Sequence, residues 1–393
     1  MMFGAGNIHA GTVTQKAVKH AGRSTASLAL SALDALSWGA FVVAVAPSSV
    51  AGSVEYETWA SDQDIYVSNP CPPTGSSSGC NRPIWPSAAT LKSSKSFQQS
   101  ALGQSHLGKT RRGGLTVQVI GPAQGCSTPP GLTGAAANSG FPASGCVGEE
   151  VRRDRASFDY MVANNLWSKA GLAAMYPTSQ VVQFPDGALE IKADWIPVAT
   201  LAAWLKQQES FVSDNFYTST ATIDGSTVTY AMTSMHVSLK LAGFPDWVWA
   251  DFENAYTPGR CDQTGCSDSF GAVTQKVPAN AQPWQQYKSC QPTLALKALF
   301  SSKKVGSVFA NYCLTGTQTT FGTTKNPTLL GSPIVEPLNA DVPLNVSSCI
   351  SCHAGASFDA KGLSGPVSEA LGPNSVPAGY KGYDFMWGVL FAK

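Results

Sequence analysis

Apolar and polar residues alternate through the middle of the chain. Within "SQVVQFPDGALEIKADWIPV" (Ser179–Val198), Leu189, Ile191 and Ala193 alternate with charged positions, which predicts two strands around a turn at Pro185-Asp186-Gly187. Further strands are expected at Phe216–Thr222 and Thr227–His236, joined through Asp224-Gly225, and in the short "LTVQVI" of Leu115–Ile120. Helical spacing appears twice. Apolar residues at Val151, Phe158, Met161, Val162 and Leu166 predict one helix over Glu149–Leu172, ending near Gly171. Near the amino terminus Leu30, Leu33, Leu36 and Phe41 recur at a similar interval. Lys16, Lys19 and Arg23 before this apolar stretch, and Ser49-Val50-Ala51 after it, have the layout of an export signal. Asp34 and Trp38 interrupt the stretch, however, so it is read as a retained core helix. No uninterrupted run reaches the ~18 apolar residues of a membrane span, so no integral span is expected.

Composition narrows the class. With 26 basic and 25 acidic residues among 393, the chain has almost no net field, and no nucleic-acid partner is expected. Its 37 glycines and 25 prolines, with Ser-rich stretches from Gly52 to Gly148, predict a loop-rich body. The fold class expected is α+β: a loop-rich, disulfide-tied, β-containing body with several helices and a distinct C-terminal segment. The expected divisions are residues 1–33, with the character of an export signal, a body over 34–344, and an attachment segment over 345–393.

That last segment opens with "NVSSCISCHAGASFDAKG", and Cys349-Ile350-Ser351-Cys352-His353 has the spacing by which a c-type haem is attached. In such sites two thiols form thioethers with the haem vinyl groups and the adjoining histidine ligates the iron. With 10 cysteines and 5 histidines in the chain, chance would produce this pattern with a probability of only roughly 0.003. Zinc needs a second ligand pair at similar spacing, and none occurs. A thioredoxin-like pair belongs early in a βαβ unit, not near the end of the chain. One covalent haem c is therefore expected, held by Cys349, Cys352 and His353.

The remaining eight cysteines fall in local clusters. Closing short loops costs least entropy, which predicts Cys71–Cys80, Cys126–Cys146, Cys261–Cys266 and Cys290–Cys313. Disulfides and haem attachment both point to an oxidising place, a bacterial periplasm or the cell exterior.

Only forty residues follow His353, so the body must build much of a haem pocket. For the second axial position His236 is the leading candidate; Met386, Met235, or no protein ligand are the alternatives, while His106 reads as solvated. Arg152, Arg153 and Arg155 are read first as a solvated helix face and second as partners of haem propionates. In Phe244–Tyr256, Trp247, Trp249 and Phe252 crowd together; they are read first as core and second as a haem wall.

Several motifs resemble those of bacterial periplasmic cytochrome c family proteins, a mostly uncharacterised monohaem group with a late Cys-x-x-Cys-His. The matching stretches are Ser37-Trp38-Gly39-Ala40-Phe41-Val42, Tyr56-Glu57-Thr58-Trp59, Phe158-Asp159-Tyr160 with Asn164-Asn165-Leu166-Trp167, Phe184–Trp195, His236 with Lys240, and Trp247–Asn254. Asp251 stands where that group usually has Thr, and Asn254 where it usually has His. The resemblance implies a haem protein without supplying a reaction. The leading expectation is a monohaem electron carrier serving a periplasmic redox protein or a small-molecule donor or acceptor. The alternatives are a haem enzyme, peroxidase- or oxidase-like, in which Glu253, Glu190 or His236 acts as acid–base group, and a gas-binding sensor.

Overall fold

The computed structural model describes residues 25–66, 69–71, 118–120, 132, 134–223, 226–262, 265–271, 284–287, 289–323, 325–367, 371–372 and 376–393. Among these the fold is α+β, organised on one eight-stranded antiparallel sheet. Its strands are β1 (Ala60–Ser61), β2 (Gln118–Ile120), β3 (Val147–Arg153), β4 (Leu189–Pro197), β5 (Thr218–Ile223), β6 (Ser226–Leu241), β7 (Phe244–Asn254) and β8 (Tyr312–Gln318). The order is β1-β3-β4-β6-β7-β8, with β2 also on β3 and β5 also on β6. Strand β6, 16 residues long, spans the sheet: its first part forms a hairpin with β5 and its remainder pairs with β4 on one side and β7 on the other. Two small pairs, β9 (Gly322–Thr323) with β10 (Asn326–Pro327) and β11 (Ser357–Phe358) with β12 (Lys381–Gly382), complete the strands.

Eight α-helices are described: α1 (Thr25–Val45), α2 (Asp62–Ile65), α3 (Arg155–Ala163), α4 (Lys169–Met175), α5 (Val198–Leu205), α6 (Glu209–Asn215), α7 (Leu294–Lys303) and α8 (Cys349–His353). None is long and apolar enough to cross a membrane.

Successive residues of a strand face opposite sides, and here the two sides differ in kind. One face carries Leu189, Ile191, Ala193 and Trp195 of β4, Met235 and Val237 of β6, and Ala250 and Phe252 of β7. Helix α1 covers it with Trp38, Phe41 and Val45, all buried; Phe41 stacks on Phe252 at 4.3 Å between centroids. The core-helix reading of Ser37–Val42 thus corresponds to a packed helix. Asp34, which breaks the apolar pattern, is buried and accepts hydrogen bonds from the Ser269 amide at 2.7 Å and hydroxyl at 2.6 Å. One turn on, the Trp38 indole donates to Asp268 at 2.9 Å. A charge inside an apolar helix is tolerated because it clasps the 268–271 loop.

Local structure departs from the expected elements in three places. Glu149–Leu172 is not one helix. Residues through Arg153 extend β3, then Asp154 caps α3 by accepting from the Ser157 amide at 2.9 Å, and Asn165, with φ of 55°, separates α3 from α4. Arg152 and Arg153 are correspondingly buried on β3: Arg152 pairs with Glu150 at 2.7 Å, and Arg153 pairs with Asp62 and Glu190. Only Arg155 keeps a solvated position, beside Asp159. The Pro185–Gly187 turn exists, with Gly187 at φ of 91° and the Ala188 amide bonded to the Pro185 carbonyl, but only its second arm is a strand. The aromatic crowd of β7 is divided, because alternation sends Trp249 to one face and Phe252 to the other.

Two expected disulfides are present, Cys261–Cys266 and Cys290–Cys313, with Cα separations of 5.1 and 5.8 Å. Cys71 is also disulfide-bonded. Cys80 and Cys126, the expected partners of Cys71 and Cys146, lie outside the described residues, as do His106 and residues 115–117 of the expected Leu115–Ile120 strand, whose second half is β2.

Replacing Asp34 by Ala removes the acceptor for a buried amide and hydroxyl. The expected cost is about 1–3 kcal/mol of folding stability, measured by chemical denaturation. An unchanged midpoint would contradict the clasp.

Candidate functional site

The attachment motif forms a single helical turn. Ser348 caps it, accepting from the Ser351 amide at 3.4 Å. Gln318, at the end of β8, grips the same turn from the sheet: its amide donates to the Ser348 hydroxyl at 3.0 Å, and its carbonyl accepts from the Ile350 amide at 2.9 Å. Cys349 is buried, its thiol directed to the Leu330 carbonyl at 3.5 Å, and burial, followed by Glu336 and Asp251, pushes its pKa well up. Cys352 lies three residues on and is partly exposed, so both thiols flank the turn that ends at His353.

His353 is held by two contacts. Its ring lies 4.4 Å from the Trp249 indole, centroid to centroid, and its Nδ1 is 2.7 Å from the Phe385 carbonyl. A carbonyl only accepts, so Nδ1 carries the proton, and in a neutral ring Nε2 keeps its lone pair. The ring is neutral: burial, opposed by the Phe385 bond and reinforced by Lys192 and His236, holds its pKa down at about 3. A neutral imidazole whose second nitrogen is bound to a carbonyl is the usual state of a metal-ligating histidine. The residues of the motif therefore fit the group that their spacing implies.

Beneath α8 lies the polar face of the sheet, arranged in cross-strand rows. Arg153, Glu190, Ser238, Trp249 and Gln318 form one row across β3, β4, β6, β7 and β8. Lys192, His236 and Asp251 form the next, and Glu149, Asp194, Ser234 and Glu253 the third. Ion pairs and hydroxyls tie residues within these rows and between them. Lys192 pairs with Glu149 at 2.8 Å, His236 Nε2 lies 3.1 Å from Asp251 Oδ1, Thr315 donates to Asp251 Oδ2 at 2.6 Å, and Ser234 donates to Asp194 at 2.8 Å. Glu336, on the helical turn Ile334–Ala340, joins the cluster and accepts from the Ser332 amide at 2.6 Å.

Buried charge of one sign cannot all remain ionised. Burial drives Asp194 up to about 7 against the opposing Lys192, and burial with the Asp251 charge drives Glu253 well above the carboxylate range. Ser332 is the hydrogen-bonding neighbour of Glu253, though neither carboxyl oxygen meets a donor in good geometry. His236 shifts the other way from what burial alone would give: burial lowers its pKa, but Asp251, with Glu336 and Asp194, more than offsets this and lifts it to about 9. At neutral pH His236 is thus a cation facing a carboxylate.

The structure brings together most of the expected residues. Cys349, Cys352 and His353 share one turn, and His236 lies on the sheet face that this turn covers, near enough to act on the His353 charge. Met235 faces the opposite side, in the α1 core, while Met386 is buried in the apolar cluster around Trp249 and Tyr383. Glu190 is committed to Arg153, two rows away from Glu253. Asn254 caps the end of β7, donating to the Asn215 carbonyl at 3.0 Å. Lys192, Asp194 and Glu336 were not singled out from sequence. The signal for the first two was present: Glu190, Lys192 and Asp194 are the complement of the apolar alternation in β4, on a strand with neighbours on both sides. Glu336 carried no such signal. No known protein family, curated protein or solved structure matches the chain.

The His236–Asp251 pair has a signature in pH. A histidine whose folded pKa is raised contributes stability in full below its unfolded value, about 6.5, and loses it as pH rises through about 9. The wild type is expected to lose stability over this window relative to His236→Gln, by about 1.4 kcal/mol for each unit of pKa difference. Denaturant titrations at several pH values measure it; parallel curves for the two proteins would contradict the pairing.

Proposed function

We propose that this chain is a monohaem c-type cytochrome of the periplasm or cell exterior, transferring electrons between a redox partner protein or small-molecule donor and an acceptor. The observation that carries the reading is the placement of His353: its Nδ1 lies 2.7 Å from the Phe385 carbonyl, which only accepts, and it shares one turn with Cys349 and Cys352. The resemblance of the Trp38, Phe184–Trp195 and Trp247–Asn254 stretches to periplasmic cytochrome c family proteins supports it, and the disulfides agree with an oxidising compartment.

Once bound, the haem supplies one-electron chemistry, its iron alternating between ferric and ferrous states. The chain's part is to fix the group and set its surroundings. Cys349 and Cys352 would tether it through thioethers. His353 offers Nε2. Trp249 fixes the imidazole plane, and Gln318 anchors the turn to β8. His236 would serve as the second protein ligand only by giving up the proton that Asp251 favours.

A second reading, a haem enzyme with an open side, is favoured by Glu253. A buried carboxyl with an elevated pKa and no good hydrogen bond is the state expected of an acid–base group. In this reading Asp251 would hold His236 as a proton donor, with Glu253, two residues along β7 on the same face, as the second acid–base group.

Two measurements test these readings. Replacing Cys349 and Cys352 together by Ser is expected to abolish haem staining on denaturing gels of protein matured in a periplasm; retained stain would exclude thioether attachment. Absorption spectra of the wild type separate carrier from enzyme. A low-spin ferrous form indifferent to carbon monoxide, turned high-spin by His236→Ala, is the expectation for the carrier. A wild type that binds carbon monoxide promptly contradicts the carrier and leaves the enzyme.

A further inference from the structure

The carbonyl that holds the His353 proton belongs to an improbable piece of backbone. Asp384 and Phe385 are consecutive left-handed residues, with φ of 46° and 69°. Side chains other than glycine rarely adopt this region, and two in succession need outside support. Phe385 has a bulky side chain, so local preference does not explain its conformation.

The support is a buried clamp. Asp384 Oδ1 accepts from Lys240 Nζ at 2.8 Å, and Oδ2 accepts from the Phe184 amide at 2.7 Å. Lys240 also donates to the Pro245 carbonyl at 2.8 Å, and its ammonium lies 5.4 Å from the Trp247 ring centroid. The side chains of Lys240 and Asp384 are only 5% and 9% exposed. The clamp therefore joins the end of β6, the start of β7 and the turn before β4 to the C-terminal segment. From this anchor the chain advances one residue and presents the Phe385 carbonyl to His353 Nδ1 at 2.7 Å.

We propose that Lys240 and Asp384 are positioning residues for His353: their ion pair locks the left-handed Asp384–Phe385 turn, so that the Phe385 carbonyl accepts a hydrogen bond from the protonated Nδ1 and Nε2 is left without a proton. The use of that nitrogen for iron rests on the haem reading above; the tautomer itself does not. A hydrogen bond at Nδ1 makes the imidazole more electron-donating, which favours the ferric state of a ligated iron. Breaking the clamp therefore frees the tautomer and raises the reduction potential.

The test uses the full chain with ¹⁵N-labelled histidine, the His353 signals being identified by their loss in His353→Ala. In the wild type, nitrogen shifts are expected to show Nδ1 protonated and Nε2 bare. Asp384→Asn keeps a side chain that tolerates left-handed φ but removes the charge; Lys240→Met removes the partner. Either folded variant is expected to show at least a tenfold loss of preference for the Nδ1-protonated form. An unchanged tautomer in a folded variant overturns the proposal. So does a wild type protonated at Nε2, which needs no variant at all. In haem-bearing protein, Asp384→Asn is expected to raise the reduction potential, and an unchanged potential overturns the electronic role. Protein that matures without haem yet shows these tautomers would refute the haem reading and leave the clamp standing.

Discussion

The period of two along a β-strand is the constraint on which this structure depends. Alternate residues along the middle of β4, β6 and β7, among them Ile191, Ala193, Met235, Val237, Ala250 and Phe252, join the apolar core that α1 covers, and Trp249 and the polar rows lie on the other face, toward α8. The carboxylates of these rows, Glu190, Asp194, Asp251 and Glu253, are buried as well, and Lys192 and His236 are half-buried. Such a row of charged groups carries a desolvation cost that an apolar row would avoid. Folding is compatible with it because cations and carboxylates face each other across strands, and because the surplus carboxyls keep their protons.

The same geometry places the chemistry. Strand β7 supplies Trp249 to the His353 ring and Asp251 to His236, two residues apart and therefore on one face. Strand β8 ends at Gln318, which holds the Cys349–His353 turn, and the end of β6 supplies Lys240, which holds the segment carrying the Phe385 carbonyl. A turn of five residues has little intrinsic stability, so its orientation comes from these neighbours. The long body that precedes the motif thus acts as the mount for a short one.

Much of this was legible in sequence, for identifiable reasons. The motif is local, so its spacing alone named Cys349, Cys352 and His353. Short loops made the Cys261–Cys266 and Cys290–Cys313 pairs readable. Alternation in β4 and the turn before it were visible in Leu189, Ile191 and Ala193. What failed were cases in which distant partners override local pattern. Arg152 and Arg153 look like a solvated helical face until Glu150, Asp62 and Glu190 are brought to them. Asp34 looks like a flaw in an apolar helix until Ser269 is placed 235 positions away. The clamp of Lys240 on Asp384 joins residues 144 positions apart, beyond any periodicity.

The central claim is that Cys349, Cys352 and His353 hold a covalent haem, and the mass of the intact protein tests it most directly. The chain is matured in a bacterial periplasm, unfolded in acid to strip any non-covalent group, and weighed. The account predicts a mass greater than that of the polypeptide by one haem. A mass equal to that of the polypeptide, from cells that attach haem to a control cytochrome, would contradict it.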